Sequence, residues 1–387
     1  MDRLQRAREP FRAGDPLRGI AALAVVLGHM LGIPVISYTR DFALDGSAVT
    51  GAFGPVGDVV TSGGTIGVSI FFVLSSYLLS RPFLRSWIHG SPRPGLGRYA
   101  RNRFLRIVPA YWALLVVLLV TVVATGLADA TLRQVVKLFV FGGDPNRPFP
   151  LWVGHVWTLD IEVRFYLLLG VLGTLFALAG PWARERSTPG ARVAVVAVVT
   201  VGLTAWSFWG HPSRASFDAY GFEANAGRFS VGVLLALAEV WLLRVPRSRS
   251  LAVALFAGGL VALTALSVAD QDPSLPLGDA TPWLLALAAG TTVAGPLLWQ
   301  WAAGAPWRAL DNGFLRWAGS RSYSIYLVHL PVFAFLVEID DGASYQRRAV
   351  LCAVTGLPFV LAAAELLHRA VERPAMARRA PSQVVAP

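Results

Sequence analysis

Residues 16–30, P-L-R-G-I-A-A-L-A-V-V-L-G-H-M, decide the fold. The stretch is apolar apart from two ionisable side chains, Arg18 and His29. Arg18, Ala22, Val25 and His29 fall at helical spacings, so one face of a helix carries both polar groups. Eleven residues of helical rise put His29 about 16 Å beyond Arg18, roughly half-way through the hydrocarbon of a bilayer. An ionisable group at that depth is costly unless it faces protein or water, which makes His29 a functional candidate. The alternative is a buried histidine that hydrogen-bonds a neighbouring helix.

Working outward, the same kind of segment recurs to the end of the chain. Apolar runs of near-spanning length occupy 17–36, 65–81, 107–127, 156–180, 191–209, 226–243, 250–269, 283–303, 321–339 and 347–369. The 387 residues are 55% hydrophobic and only 15% charged, with a mean hydropathy of +0.55, which a soluble domain of this length would rarely show. The expectation is an all-α polytopic membrane protein with about ten transmembrane helices. Placing the N-terminus in the cytoplasm puts most of the 34 basic residues in cytoplasmic segments, so both termini are expected inside. The net charge of +11 then reflects topology, and no nucleic-acid partner is expected.

No cleavable signal peptide is evident, and the first helix is read as an uncleaved anchor. Cys352 is the only cysteine, which excludes intrachain disulfides and cysteine-rich metal sites. Only Lys137 represents lysine, a bias that suggests a GC-rich bacterial genome. The expected organisation is a short cytoplasmic segment 1–16, a transmembrane domain 17–369 and a cytoplasmic tail 370–387. The long connections 37–64, 82–106 and 128–155 are the informative ones, since loops of that length tend to be functional or disordered.

Three further stretches carry chemistry. R-Y-A-R-N-R-F-L-R-I-V-P-A-Y-W (98–112) leads into the third span, and Arg103 and Arg106, three apart, share its cytoplasmic mouth. Guanidinium groups clamp phosphates bidentately, which suits a phosphorylated donor such as acyl-CoA; the positive-inside effect alone would also put arginines there. In W-T-L-D-I-E-V-R-F-Y-L-L-L (157–169), Glu162 and Tyr166 lie one turn apart on one face. A carboxylate within the bilayer needs a partner, so Glu162 is read as orienting or charge-balancing His29 or an arginine, or as half of a structural ion pair. S-Y-S-I-Y-L-V-H-L-P (322–331) places His329 near mid-membrane, where a structural or a catalytic role fits, and Pro331 can bend that helix. His155 and Asp160 also form H-x-x-x-x-D, a chance pairing by its flanking sequence. His89, His155, His211 and His368 form no metal-ligand cluster, and no metal is expected.

Together these stretches resemble acyltransferase family 3, the bacterial membrane-bound O-acyltransferases. L-R-G-I-A-A-L-A-V-V-L-G-H (17–29) is similar to the family's opening helix, with Arg18 and His29 on its arginine and essential histidine. G-V-S-I-F-F-V-L-S-S-Y-L-L-S-R-P-F (67–83) resembles the second helix, 101–112 the arginine pair, and 157–169 the tryptophan–glutamate–tyrosine stretch; 322–331 and V-E-R-P (371–374) complete the series. Ser69 stands where many members have aspartate, and Ser76 where many have glycine.

The resemblance implies transfer of an acyl group, usually acetyl, from acyl-CoA to a hydroxyl of a glycan, glycolipid or secondary metabolite such as a macrolide. His29 and Glu162 would be catalytic, with Arg18, Arg103, Arg106, Tyr166 and His329 binding substrate. No bound cofactor is implied, since acyl-CoA is the donor substrate, and the enzyme is expected to act alone, without a fused hydrolase-like domain, in the bacterial plasma membrane. A glycan or lipid transporter, using the same intramembrane histidine and glutamate as a proton relay, is the competing reading.

Overall fold

The structure is a computed structural model of the chain. It describes all residues except 1–10, 40–48, 93, 127–131, 143–150, 210–220, 243–247, 273, 274, 276, 278, 279, 341 and 380–387. His211 lies outside the described residues.

Every predicted segment coincides with a helix. These are α1 (Gly14–Thr39), α3 (Gly63–His89), α4 (Leu96–Thr125), α6 (Trp157–Arg186), α7 (Pro189–Trp209), α8 (Phe222–Leu242), α9 (Arg249–Gln271), α10 (Thr281–Ala303), α12 (Ser322–Ile339) and α13 (Tyr345–Ala377). Short helices α2 (Gly54–Thr61), α5 (Leu132–Phe139) and α11 (Gly313–Ser320) lie between them. Among the described residues, nine helices are long and apolar enough to cross a membrane. The remaining long helix, α8, carries Asn225, Arg228 and Glu239 along its 21 residues, which lowers its hydropathy. Asn225 and Glu239 are turned inward and buried. The chain is an all-α multi-pass membrane protein.

The helices extend past the apolar runs where the sequence turns basic. Segment 82–106 is mostly helix: α3 continues to His89, where Gly90 closes it with a positive φ of 71°, and α4 begins at Leu96. At the other end of the chain, α13 continues to Ala377, so 370–377 is helix where a tail was expected. Hydropathy reads only the part of a helix that lies in hydrocarbon, and these turns continue beyond it. Two π-turns, Cys352–Gly356 and His368–Glu372, interrupt α13.

The first helix is central. α1 packs against α3, α11 and α12, while α10 packs against α9, α8 and α3, and α12 against α13. Close approach of α1 and α3 depends on glycine: a Cβ at Gly63 or Gly67 would run into the carbonyl oxygens of Ala24 and Ala21. Small residues at such a crossing let two backbones pack in lipid, where there is no hydrophobic drive between helices. Helices α4, α6 and α7 form part of the rim, and Val120, Val123, Leu167, Leu178, Val198 and Trp206 stay exposed on them, as an apolar solvent requires.

Candidate active site

Helices α1 and α12 cross so that His29 and His329 meet, their ring centroids 5.1 Å apart. The tautomers follow from the carbonyls that face each ring. His329 Nδ1 lies 2.6 Å from the Tyr326 carbonyl oxygen, which can only accept, so the proton is on Nδ1 and Nε2 has a lone pair. His329 Nε2 lies 3.2 Å from His29 Nδ1, so His29 Nδ1–H donates to it; the Val25 carbonyl, 3.0 Å away, accepts from the same nitrogen. The His29 Nε2 lone pair is thereby left for chemistry. His329 is fully buried, whereas His29 keeps partial exposure.

A third histidine joins them, and it was not among the expected site residues. His155, in the 3₁₀ turn Leu151–Val156, is buried with its ring centroid 5.2 Å from those of both His329 and Tyr326. The cause is Pro331. Lacking an N–H, it leaves the Leu327 carbonyl one turn earlier without its helical partner, and His155 Nε2–H donates to that oxygen at 3.1 Å. His155 Nδ1 therefore carries a buried lone pair, and it has no partner among the described residues. The nearest sequence signal was position: His155 is seven residues, two helical turns, before Glu162. Asp160 is paired with Arg164 at 2.8 Å rather than with His155, so the H-x-x-x-x-D spacing brings no dyad together.

Restoring the N–H by Pro331→Ala is expected to give Leu327 its backbone donor and release His155. The measurement is turnover beside thermal unfolding in detergent: activity should fall severalfold while the melting temperature holds or rises.

Glu162 occupies a separate position. Its Oε1 accepts from Ser75 Oγ at 2.9 Å, and Tyr99, Tyr166, Tyr323 and Tyr326 lie within its electrostatic reach. The described contacts do not include one between Glu162 and His29; His329 and Val25 orient the imidazole instead. Glu162, Tyr166, Ser75, Thr158 and Tyr326 line an inner cavity of about 220 Å³. Tyr326 is part of its wall, with the hydroxyl bonded to Thr158 Oγ1 and to the His155 carbonyl, each at 2.6 Å, and the ring centroid 5.5 Å from that of His329.

The same cavity is lined by Arg18, Arg103 and Arg106, and all three also line a second, wider opening of about 490 Å³. The three arginines expected at one mouth are thus brought together from two helices. Arg321, Arg369, Arg373 and Arg379 join them there. Several are already paired. Arg18 meets Asp15 at 3.1 Å, Arg106 meets the buried Glu372 at 2.5 Å, and Glu365 serves both Arg321 and Arg369. Glu372 also accepts from Ser324 Oγ at 2.6 Å and faces His368 Nδ1 at 3.0 Å. The guanidinium of Arg103 lies over the Tyr166 ring, 5.7 Å from its centroid. Burial, with the nearby charges of Arg106 and Arg103, holds Arg379 below the usual arginine range, at about 10.

Comparison with known proteins accords with this geometry. A family model described as an acyltransferase domain matches residues 15–364. Among curated proteins, the chain is 28% identical over 352 residues to the peptidoglycan O-acetyltransferase OatA of Listeria monocytogenes, covering 81% of this chain and 51% of that protein. It is 26% identical to the putative peptidoglycan O-acetyltransferase YrhL of Bacillus subtilis, with 81% and 50% covered, and 25% identical to the O-acetyltransferase OatA of Staphylococcus aureus, with 81% and 53% covered. The chain spans about half the length of these relatives. No solved structure matches it. With the matched region running from the first turn of α1 into α13, the chain belongs to acyltransferase family 3.

Proposed function

We propose that this protein is an O-acyltransferase that moves an acyl group, most simply acetyl, from acyl-CoA to a hydroxyl of a carbohydrate or a carbohydrate-bearing lipid or metabolite. Both termini and the arginine-lined opening face the cytoplasm, where acyl-CoA is found. The observation that carries the reading is the continuity of polar groups: Arg18, Arg103 and Arg106 line both the opening and the inner cavity, and Tyr326, which also lines that cavity, touches the histidine cluster. Two relatives named for peptidoglycan O-acetylation support acetyl as the group and a glycan as the acceptor.

In this mechanism the arginines hold the phosphates and the thioester enters the inner cavity. His29 Nε2 takes the proton of the acceptor hydroxyl as its oxygen attacks the thioester carbonyl. The tetrahedral adduct collapses, the C–S bond breaks, and the CoA thiolate takes the proton back from the imidazolium. Acylation of His29 in a ping-pong sequence uses the same nitrogen. Glu162 and Tyr166 position the thioester or acceptor within the cavity.

The test is acyl-CoA consumption by purified protein in nanodiscs with a panel of glycan acceptors, run beside glycan flux in proteoliposomes lacking acyl-CoA. Acylated glycan with release of free CoA is the expected result. Flux without any acyl-CoA consumption would replace transfer with transport.

A further inference from the structure

The opening holds more cation than its own carboxylates balance. Seven arginines line it, against Asp15, Glu365 and Glu372 as ion-pair partners. Arg18, Arg106, Arg321 and Arg369 take those three carboxylates. Two of the other arginines have buried guanidinium nitrogens with no hydrogen-bond acceptor among the described residues: Arg103 at Nε, and Arg379 at both Nε and Nη2. Buried donors without acceptors are rare, because each loses its water without replacement.

The pattern at Arg379 is specific. Nε–H and Nη2–H point in parallel from one edge of the guanidinium, a fork that matches two oxygens of a carboxylate or phosphate. Elsewhere in this protein that edge is used in just this way: Arg81 holds Glu239 through Nε and Nη2 at 2.7 and 2.6 Å, and Arg321 holds Glu365 through the same pair. At Arg379 the fork has no protein acceptor among the described residues. Arg379 follows the end of α13, beyond residues 15–364 that the family model matches. The second π-turn, His368–Glu372, lies about two turns before Arg379, and its Glu372 pairs with Arg106 of the opening.

We propose that Arg379, with Arg103, forms a phosphoryl-binding subsite at the rim of the opening, and that its ligand is the terminal phosphate monoester of the CoA donor. The inference rests on the donor reading given above. Acyl-CoA brings a pyrophosphate and a 3′-phosphate; Arg18 and Arg106, which also line the inner cavity, suit the pyrophosphate, and the Arg379 fork, which lines only the wider opening, suits the dianionic monoester with Arg103 between them.

The experiment is calorimetric titration of full-length protein in neutral-lipid nanodiscs with CoA and with 3′-dephospho-CoA. Variants are Arg379→Ala, Arg379→Lys and, as neighbour control, the exposed Arg378→Ala. Wild type should bind CoA about tenfold or more tighter than 3′-dephospho-CoA, since a charged bidentate bond is worth about 1.5–3 kcal/mol. Arg379→Ala should lose about that factor for CoA only, Arg379→Lys should lose part of it as a point charge without a fork, and Arg378→Ala should lose none. CoA bound equally by wild type and Arg379→Ala would overturn the subsite while leaving the donor reading standing. Inorganic phosphate bound in an Arg379-dependent way by a protein that binds no CoA would keep the subsite and remove the donor. Arg379-dependent binding seen only in nanodiscs containing phosphatidic acid would assign the fork to a lipid headgroup and overturn the proposal.

Discussion

His29→Ala is expected to lower acyl transfer by about 10³-fold while leaving the affinity for CoA within about twofold, since a positioned general base contributes roughly 10²–10⁴-fold. The split follows from where the groups lie. The arginines of the opening are on α4, α13 and the first turns of α1, just before α12 and just after α13, whereas His29 is three helical turns further along α1. Its imidazole meets His329, Val25 and no arginine among its described contacts. His329→Ala should then fall between the two, because it removes the acceptor that holds the His29 Nδ1 proton but not the reacting nitrogen. The expected outcome is a lower kcat with KM for acyl-CoA unchanged, and partial recovery with His329→Gln, whose side-chain oxygen can accept the same bond. Steady-state kinetics and CoA titration on one set of preparations check both. Transfer that survives His29→Ala undiminished would sink the direct and the covalent version alike.

The parts of this site that could be read along the chain are those written within single helices. Arg18 and His29 share a face because of their spacing, and helix α1 keeps it. Arg103 and Arg106 share a mouth for the same reason, and the opening does gather them. What crosses between helices was not legible. Arg106 and Glu372 are 266 residues apart, and nothing in V-E-R-P says that its glutamate turns inward to meet an arginine on α4. His155 read as a loop histidine because its burial depends on a carbonyl freed by Pro331, on another helix. Arg228 on α8, likewise unremarked, donates from Nε to Ser69 Oγ on α3 at 2.9 Å. Sequence periodicity places a polar group on a face, but only packing decides which neighbour that face meets. Helix ends failed for a simpler reason, since a basic turn in water can be as helical as the apolar turn before it.

Glu372 shows why loss of activity alone would misassign Arg106. The carboxylate is fully buried, and Arg106, Ser324 and His368 all converge on it. Arg106→Ala would leave that charge buried without its cation, and removing one partner of a buried pair costs about 3–5 kcal/mol. The same variant also deletes a cation of the proposed donor opening, so falling transfer could come from either source. The double variant Arg106→Met with Glu372→Leu separates them. It removes both charges together, which replaces the pair with apolar volume and is often neutral for stability. Arg106→Ala should therefore melt several degrees lower than wild type, and the double variant should recover most of that loss. CoA affinity should stay low in both, because the cation is missing in both. Thermal unfolding in detergent measures the first quantity and calorimetry in nanodiscs the second. If the double variant recovers CoA binding together with stability, Arg106 is a strut of α4 and α13, and the phosphates are held by Arg18, Arg103 and Arg379 without it.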